Sequence, residues 1–101
     1  MTNPIARRED SVITIVCPAK GCLLMLPVRA LGTARRPDGP EWEFDGNIEA
    51  PTLAPSLLNH CTAGICHSFL RAGRFEFLSD CTHEKAGQTI PLEPLPDCAL
   101  D

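Results

Sequence analysis

The residues of this chain that can do chemistry are concentrated between Trp42 and His83. This stretch contains all three histidines, at positions 60, 67 and 83, and three of the six cysteines. It also contains Ser56, in the segment P-T-L-A-P-S, where two prolines stiffen the approach to the hydroxyl. These residue types suggest two kinds of site, a nucleophilic serine and a metal centre.

Ser56 is a candidate nucleophile, and a serine needs a base within hydrogen-bond reach before it can attack. His67 follows Cys66 in the stretch I-C-H-S-F-L-R, which predicts a strand over residues 65–71. Adjacent residues of a strand face opposite sides. If Cys66 binds a metal, His67 is therefore expected to point away from it and toward Ser56.

Acidic residues that could orient this base lie on both sides of it in the sequence. Asp80 and Glu49 are able to hold an imidazole in one tautomer, as the acid of a catalytic triad does. His83 is a second candidate, as base, orienting group or metal ligand. The alternative interpretation is that Ser56 is a turn residue and His67 a structural histidine.

Cysteine spacing predicts a structural zinc site. Cys17 and Cys22 form a C-x4-C turn, with Pro18 after the first thiol and Gly21 before the second. Structural zinc is bound by ligand pairs close in sequence, usually with a second pair far away. The chain shows no secretory signal, so its cysteines are expected to bind metal rather than form disulfides.

The second half of the chain offers more than one partner pair for this site. Cys66 is expected to contribute, and a hairpin built on it would bring Cys81 close by. Cys61 and His83 are the alternatives for the fourth position. The expected zinc ligands are Cys17, Cys22, Cys66 and Cys81.

Composition excludes some classes of partner. The chain has 101 residues and a net charge of −4, which argues against nucleic-acid binding because that requires a basic surface. No apolar run approaches the roughly 18 residues needed to span a bilayer. We therefore expect a cytoplasmic protein with no membrane and no nucleic-acid partner.

Short strands must position these residues, because ten prolines and seven glycines punctuate the chain. The predicted strands cover residues 11–16, 23–28, 42–44, 65–71, 74–79 and 88–92, with a hairpin turn at Ala72-Gly73. Residues 50–56 contain Pro51 and Pro55, which favours an extended, irregular or sheet-edge segment. A single helical turn that starts near Asp80 is the only helix expected.

The predicted fold is mainly β, a small antiparallel single domain with a zinc-bound cysteine knuckle and at most one short helix. A flexible N-terminus is expected over residues 1–10. A zinc-stapled β domain is expected over residues 11–92, and an extended tail over residues 93–101. Trp42 and the four phenylalanines, which recur at strand spacing, are expected in the core.

Several motifs together resemble a family of small bacterial and phage domains. They are W-x-F-D-G, E-x-P-T-L-x-P-S, I-C-H-S-F-L-x-x-G-x-x-x-F-L-S-D-C-T-H and A-G-Q-T-I-P-L. These domains, of formerly unknown function, are often labelled ammonia monooxygenase. That label implies a membrane-bound copper enzyme, which a chain without a membrane segment does not fit.

More distantly, the chain is similar to zinc-containing serine peptidases encoded in bacterial ubiquitin-like conjugation operons. The resemblance aligns Pro55-Ser56 with their P-S segment, and Cys66 and Ser68 with their C-x-S-H segment. Their histidine stands three places after the cysteine, where this chain has Phe69. His67, two residues earlier on the same strand face, is the candidate to replace it.

The resemblance implies a zinc-stabilised hydrolase with peptidase-like chemistry, with Ser56 as nucleophile and His67 as base. Asp80 and His83 are the supporting residues, and the substrate would be a protein or peptide such as a ubiquitin-like modifier. The alternative is a non-catalytic zinc-stapled binding or adaptor module of phage or prophage origin.

Overall fold

A curled sheet of eight strands forms the fold in the part of the chain that the structure describes. The computed structural model describes residues 3–18, 22–30, 32, 41–61 and 64–99. Neighbours in the sheet follow the order of the chain, from β1 to β8. The strands are β1 Ala6–Glu9, β2 Val12–Cys17, β3 Cys22–Ala30, β4 Trp42–Phe44, β5 Leu53–Cys61, β6 Gly64–Arg71, β7 Arg74–Phe77 and β8 Thr89–Pro91.

Strand β3 joins two layers of this sheet. Up to Pro27 it pairs antiparallel with β2, and from Val28 onward it runs parallel to β4. The prediction of a mainly β single domain is confirmed, but one strand pair is parallel where an antiparallel sheet was expected. This parallel pair could not be predicted, because the sequence between β3 and β4 has no helix signal of the kind that usually marks the connection of parallel strands.

The core lies between the two layers and follows the alternation of each strand. Ile13 and Ile15 of β2 are fully buried, as are Leu70 of β6 and Phe75 of β7. Their neighbours in sequence are more exposed, which is the pattern of strands with one face on the core. The face of β5 and β6 turned away from the core is called the outer face below.

Strand β5 is longer and more central than its prolines suggested. It runs from Leu53 to Cys61, between β4 and β6. Pro55 is accommodated because the β5–β6 register shifts between Leu53 and Leu57. The β5–β6 ladder has no paired residue between Leu53 and Leu57, so it requires no N–H from Pro55.

Both ends of the described chain are held against the sheet. Ala6–Glu9 pair with β2, although residues 1–10 were expected to be flexible. Leu95 is buried and its N–H donates to the Pro4 carbonyl at 2.8 Å, within the predicted tail. The Asn3 side-chain amide donates to the Leu95 carbonyl at 2.7 Å.

Helical structure is limited to one short 3-10 turn among the described residues, Asp97–Ala99. The helical turn predicted from Asp80 is instead a series of turns that ends at Gly87, which has a φ of +77°. In the described part of the chain, no helix has the length and apolar character required to cross a membrane.

Candidate active site

An irregularity in β5 presents Ser56 on the outer face. Leu53 pairs with Leu70 and Leu57 pairs with Ser68, so three residues of β5 stand opposite one residue of β6. Such bulges re-aim side chains and occur frequently beside active sites. Leu57 is 1% exposed and faces the core, which leaves the half-buried Ser56 on the opposite side.

His67 lies on the same outer face and contacts Ser56. Its Nε2 is 3.1 Å from the Ser56 Oγ. Cys66 and Ser68, its neighbours in β6, are fully buried on the core side. The alternation predicted for this strand therefore places His67 away from Cys66 and beside Ser56.

Asp80 completes a chain of hydrogen bonds with these two residues. Its Oδ2 is 2.9 Å from the His67 Nδ1. When Nδ1–H donates to the carboxylate, the neutral ring leaves Nε2 as an acceptor for the Ser56 hydroxyl. This is the arrangement of nucleophile, base and orienting acid that a serine hydrolase requires.

The segment that contains Asp80, residues 78–82, is docked along the start of β6. The Leu78 N–H donates to the His67 carbonyl at 2.8 Å, and the Thr82 N–H to the Ile65 carbonyl at 3.0 Å. The Ile65 N–H donates in return to the Thr82 Oγ1 at 2.7 Å. Gly64, with a φ of +123°, is required at this point because a Cβ there would collide with the Thr82 Oγ1.

Trp42 holds the backbone of Ser56 from the other side. Its indole N–H donates to the Ser56 carbonyl at 3.1 Å. The β4–β5 pairing ends at Glu43 and Ala54, the residue before Pro55, and Pro55 has no N–H for the ladder. The indole supplies a hydrogen bond where the backbone ladder ends.

Trp42 was expected in the core, and its contact with the Ser56 carbonyl was not predicted. The ring does pack against the core, but it is half-buried rather than enclosed. A buried or partly buried indole N–H needs an acceptor, and that requirement was the only signal in the sequence for a contact of this kind.

His83 lies apart from this hydrogen-bond chain. Its ring packs edge-on against Phe77, with 4.8 Å between ring centroids. Its Nδ1 accepts the Lys85 N–H at 3.1 Å, so in the neutral ring Nε2 bears the proton. A protonated Nε2 can act neither as a base nor as a metal ligand, and this atom is buried without a partner among the described residues.

Cys17 and Cys66 meet across the two layers of the sheet. Both are fully buried and their sulfurs are 3.9 Å apart. A disulfide requires about 2.05 Å, whereas two thiolates on one tetrahedral zinc lie about 3.8 Å apart, given Zn–S bonds of about 2.3 Å. The spacing of this pair fits two ligands of one zinc ion.

Two further groups near the Cys17–Cys66 pair are compatible with a zinc site. The backbone of Cys22 pairs directly with that of Cys17, although the side chains of Cys22 and Cys61 lie outside what the structure describes. The Ser68 hydroxyl, on the Cys66 face of β6, is buried and has no hydrogen-bond partner among the described residues, so it could donate to a thiolate.

The Cys81 sulfur is hydrogen-bonded to the backbone of His67. This sulfur accepts the His67 N–H at 3.2 Å and donates to the His67 carbonyl at 3.1 Å. Among the side chains that the structure describes, no three His, Cys, Asp or Glu residues converge closely enough to hold a metal ion. Among the described side chains, the knuckle predicted from the sequence is therefore represented by the Cys17–Cys66 pair.

A family model described as bacterial ubiquitination-like system serine protease (BubE) matches residues 2–78 of the chain. This chain belongs to that family. The resemblance inferred from the sequence motifs is thus confirmed, and the BubE family gives the chain a serine protease-like role in a bacterial ubiquitination-like system. No curated protein and no solved structure matches the chain significantly.

The BubE match covers strands β1 to β7, and so includes β5 and β6, which present the outer face. It includes Ser56 and His67, and it ends at residue 78, two positions before Asp80. The acid of the hydrogen-bond chain is therefore assigned from geometry alone, through its 2.9 Å contact with His67.

Proposed function

We propose that this chain is a serine peptidase in which Ser56 is the nucleophile, His67 the general base and Asp80 the orienting acid. The observation that supports this assignment is the continuous hydrogen-bond chain from the Ser56 Oγ through the His67 ring to the Asp80 carboxylate. Membership of the BubE family supports the peptidase chemistry.

The reaction begins when the Ser56 Oγ attacks the carbonyl carbon of the scissile amide. The His67 Nε2 takes the hydroxyl proton as the new C–O bond forms, and Asp80 stabilises the imidazolium that results. His67 then gives the proton to the leaving amine, which departs and leaves an acyl group on Ser56. Water, activated by the same imidazole, releases the acid and regenerates the hydroxyl.

The substrate in this proposal is a protein joined to, or extended from, a ubiquitin-like modifier. Support comes from the ubiquitination-like system in the description of the family. The triad lies on the outer face of a sheet, and Asp80 is 64% exposed, so a folded protein can present an extended segment to it.

Zinc in this proposal is structural and separate from the triad. Cys17, Cys22 and Cys66 would hold it on the core side of the sheet, with Cys81 or Cys61 as the fourth ligand. A site with four protein ligands supplies folding free energy. Because Cys66 and His67 face opposite sides of β6, one strand can serve both the metal and the base.

Reaction with a small fluorophosphonate probe tests the nucleophile. The wild-type protein should be labelled once, at Ser56 by peptide mapping, and Ser56→Ala should abolish the labelling. Ser11→Ala is the matched control, since Ser11 is an exposed serine away from the triad, and it should label like wild type. A correctly folded wild-type protein that does not react would favour the non-catalytic binding module instead.

A further inference from the structure

Two large aliphatic side chains are exposed directly beside the triad. Leu58 is 60% exposed and Ile65 is 37% exposed. Leu58 is the cross-strand partner of His67, and Ile65 lies two residues before His67 in β6. Both therefore share the outer face with the base, and they are called the outer apolar pair below.

The position of this pair is unusual for an antiparallel sheet. The face turned to water normally bears polar side chains. Two aliphatic groups exposed on that face contribute little burial free energy within the chain itself. Nearby Phe69, on the same face, is covered by the Arg71 guanidinium at 4.3 Å from its ring centroid. The exposed aliphatic surface is thus left beside His67.

We propose that the outer apolar pair binds an aliphatic side chain of the substrate, next to the scissile bond. This inference rests on the proposed peptidase function and specifies the class of peptide that the site accepts. The occupant is argued from position, since any chain segment whose carbonyl reaches Ser56 must lie over this face.

Strand geometry fixes how far the recognised side chain is from the scissile bond. Directly paired residues of antiparallel strands have Cα atoms about 4.5–5.5 Å apart, and residues two apart in one strand about 6.6 Å. An extended substrate peptide advances about 3.3–3.6 Å per residue. The distances from His67 to Leu58 and Ile65 therefore correspond to one or two residues of such a peptide.

The chemistry of the pair selects against polar groups at that position. Neither side chain offers a hydrogen-bond partner, so a buried amide or carboxylate of the substrate would lose water without compensation. The Asp80 carboxylate is engaged by His67 and repels further acidic groups. An aliphatic side chain instead gains free energy in proportion to the apolar area it removes from water.

Pairs of peptides test this inference. The members of a pair differ at one position, where one has Leu and the other its near-isostere Asn, and the positions tested are the two on each side of the scissile bond. For at least one position, kcat/KM should be about tenfold or more higher with Leu, since small apolar contacts discriminate by roughly 10–200-fold. Leu58→Ser and Ile65→Ser should each reduce that ratio toward one. Met25→Ser is the matched control, because Met25 is 71% exposed on β3, outside the triad, and it should preserve the ratio.

Labelling of Ser56 by the small fluorophosphonate separates the two proposals. It should proceed at a similar rate in wild type, Leu58→Ser and Ile65→Ser, because that probe does not use the pair. Protection of Ser56 from labelling by the Leu and Asn peptides gives a second measure that does not depend on turnover. Equal kcat/KM and equal protection for the two peptides, with Ser56 still reactive, would overturn the inference and leave the peptidase proposal intact. An unreactive Ser56 would overturn both.

Discussion

Asp80, the proposed orienting acid, contacts His67 from an exposed position, so it can be substituted with little effect on the fold. Its carboxylate contacts the imidazole at 2.9 Å, and most of its side chain faces solvent. Changes at this residue therefore affect the state of the ring more than the packing of the core.

Asp80→Asn should leave a folded protein with kcat reduced by about 10²–10⁴-fold, because an amide no longer holds the base in the required tautomer. The measurement is steady-state hydrolysis of a peptide substrate, with circular dichroism and Tm as checks of the fold. Glu49→Gln is the control, since Glu49 was the other acid considered and contacts neither triad member in the described residues. Wild-type kcat in the Asp80 variant would remove Asp80 from the triad.

At this scale the sequence predicted most of the candidate site. Alternation along residues 65–71 placed His67 opposite Cys66, and this follows from local geometry alone. Asp80 was predicted as a supporting residue, but only the docking of residues 78–82 against β6 shows that Asp80 rather than Glu49 contacts His67. The hydrogen bond from Trp42 to the Ser56 carbonyl could not be predicted either, because a contact between side chain and backbone of two strands depends on how those strands pair.

Gly64 allows the segment that contains Asp80 to pack closely against the start of β6. Its φ of +123° and the collision that a Cβ would make with the Thr82 Oγ1 are two separate constraints. Gly46, with a φ of +86° and open space around it, has only the first.

Gly46→Ala should destabilise the protein by about 1–2 kcal/mol through backbone strain alone. Gly64→Ala should cost more and should also lower kcat, because Thr82 must move and residues 78–82 move with it. Urea unfolding gives the free energies, and peptide hydrolysis gives the rates. Equal losses of stability with unchanged rates would show that docking of Thr82 does not position Asp80.

Element prediction succeeded where the signal was local and failed where the partner was distant. The turn at Ala72-Gly73 was predicted and joins β6 to β7, with Arg71 paired to Arg74. The strand β5 was not, because a proline is normally a sheet-edge signal and only the interrupted register shows how Pro55 is accommodated. The parallel pairing of β3 with β4 involves strands separated by more than ten residues, which no local pattern reports.

On the scale of the whole molecule, the Cys17–Cys66 contact joins the two layers of the sheet. The thiols come from β2 and β6, which are far apart in the sequence, and both are buried in the core. A zinc ion at this point would connect the layers at their centre, which is where a small core benefits most.

Protein prepared under reducing conditions should contain one zinc per chain, and chelation should lower Tm by about 10 °C or more, since each 1 kcal/mol shifts Tm by about 4–8 °C in a domain of this size. Cys17→Ser should lose the metal. Cys98→Ser should retain it, because Cys98 is exposed in the C-terminal segment. Elemental analysis settles the stoichiometry, and metal-free wild-type protein with an unchanged Tm would contradict the proposal.

The hydrogen bond between Trp42 and the Ser56 carbonyl has an optical consequence. The chain contains one tryptophan and no tyrosine, so its near-ultraviolet fluorescence comes from a single indole. That indole is hydrogen-bonded to the backbone carbonyl of the proposed nucleophile. Acylation or phosphonylation of Ser56 alters the surroundings of that fluorophore. The native protein thus has an intrinsic spectroscopic reporter, and stopped-flow fluorescence could time the covalent step without any added dye.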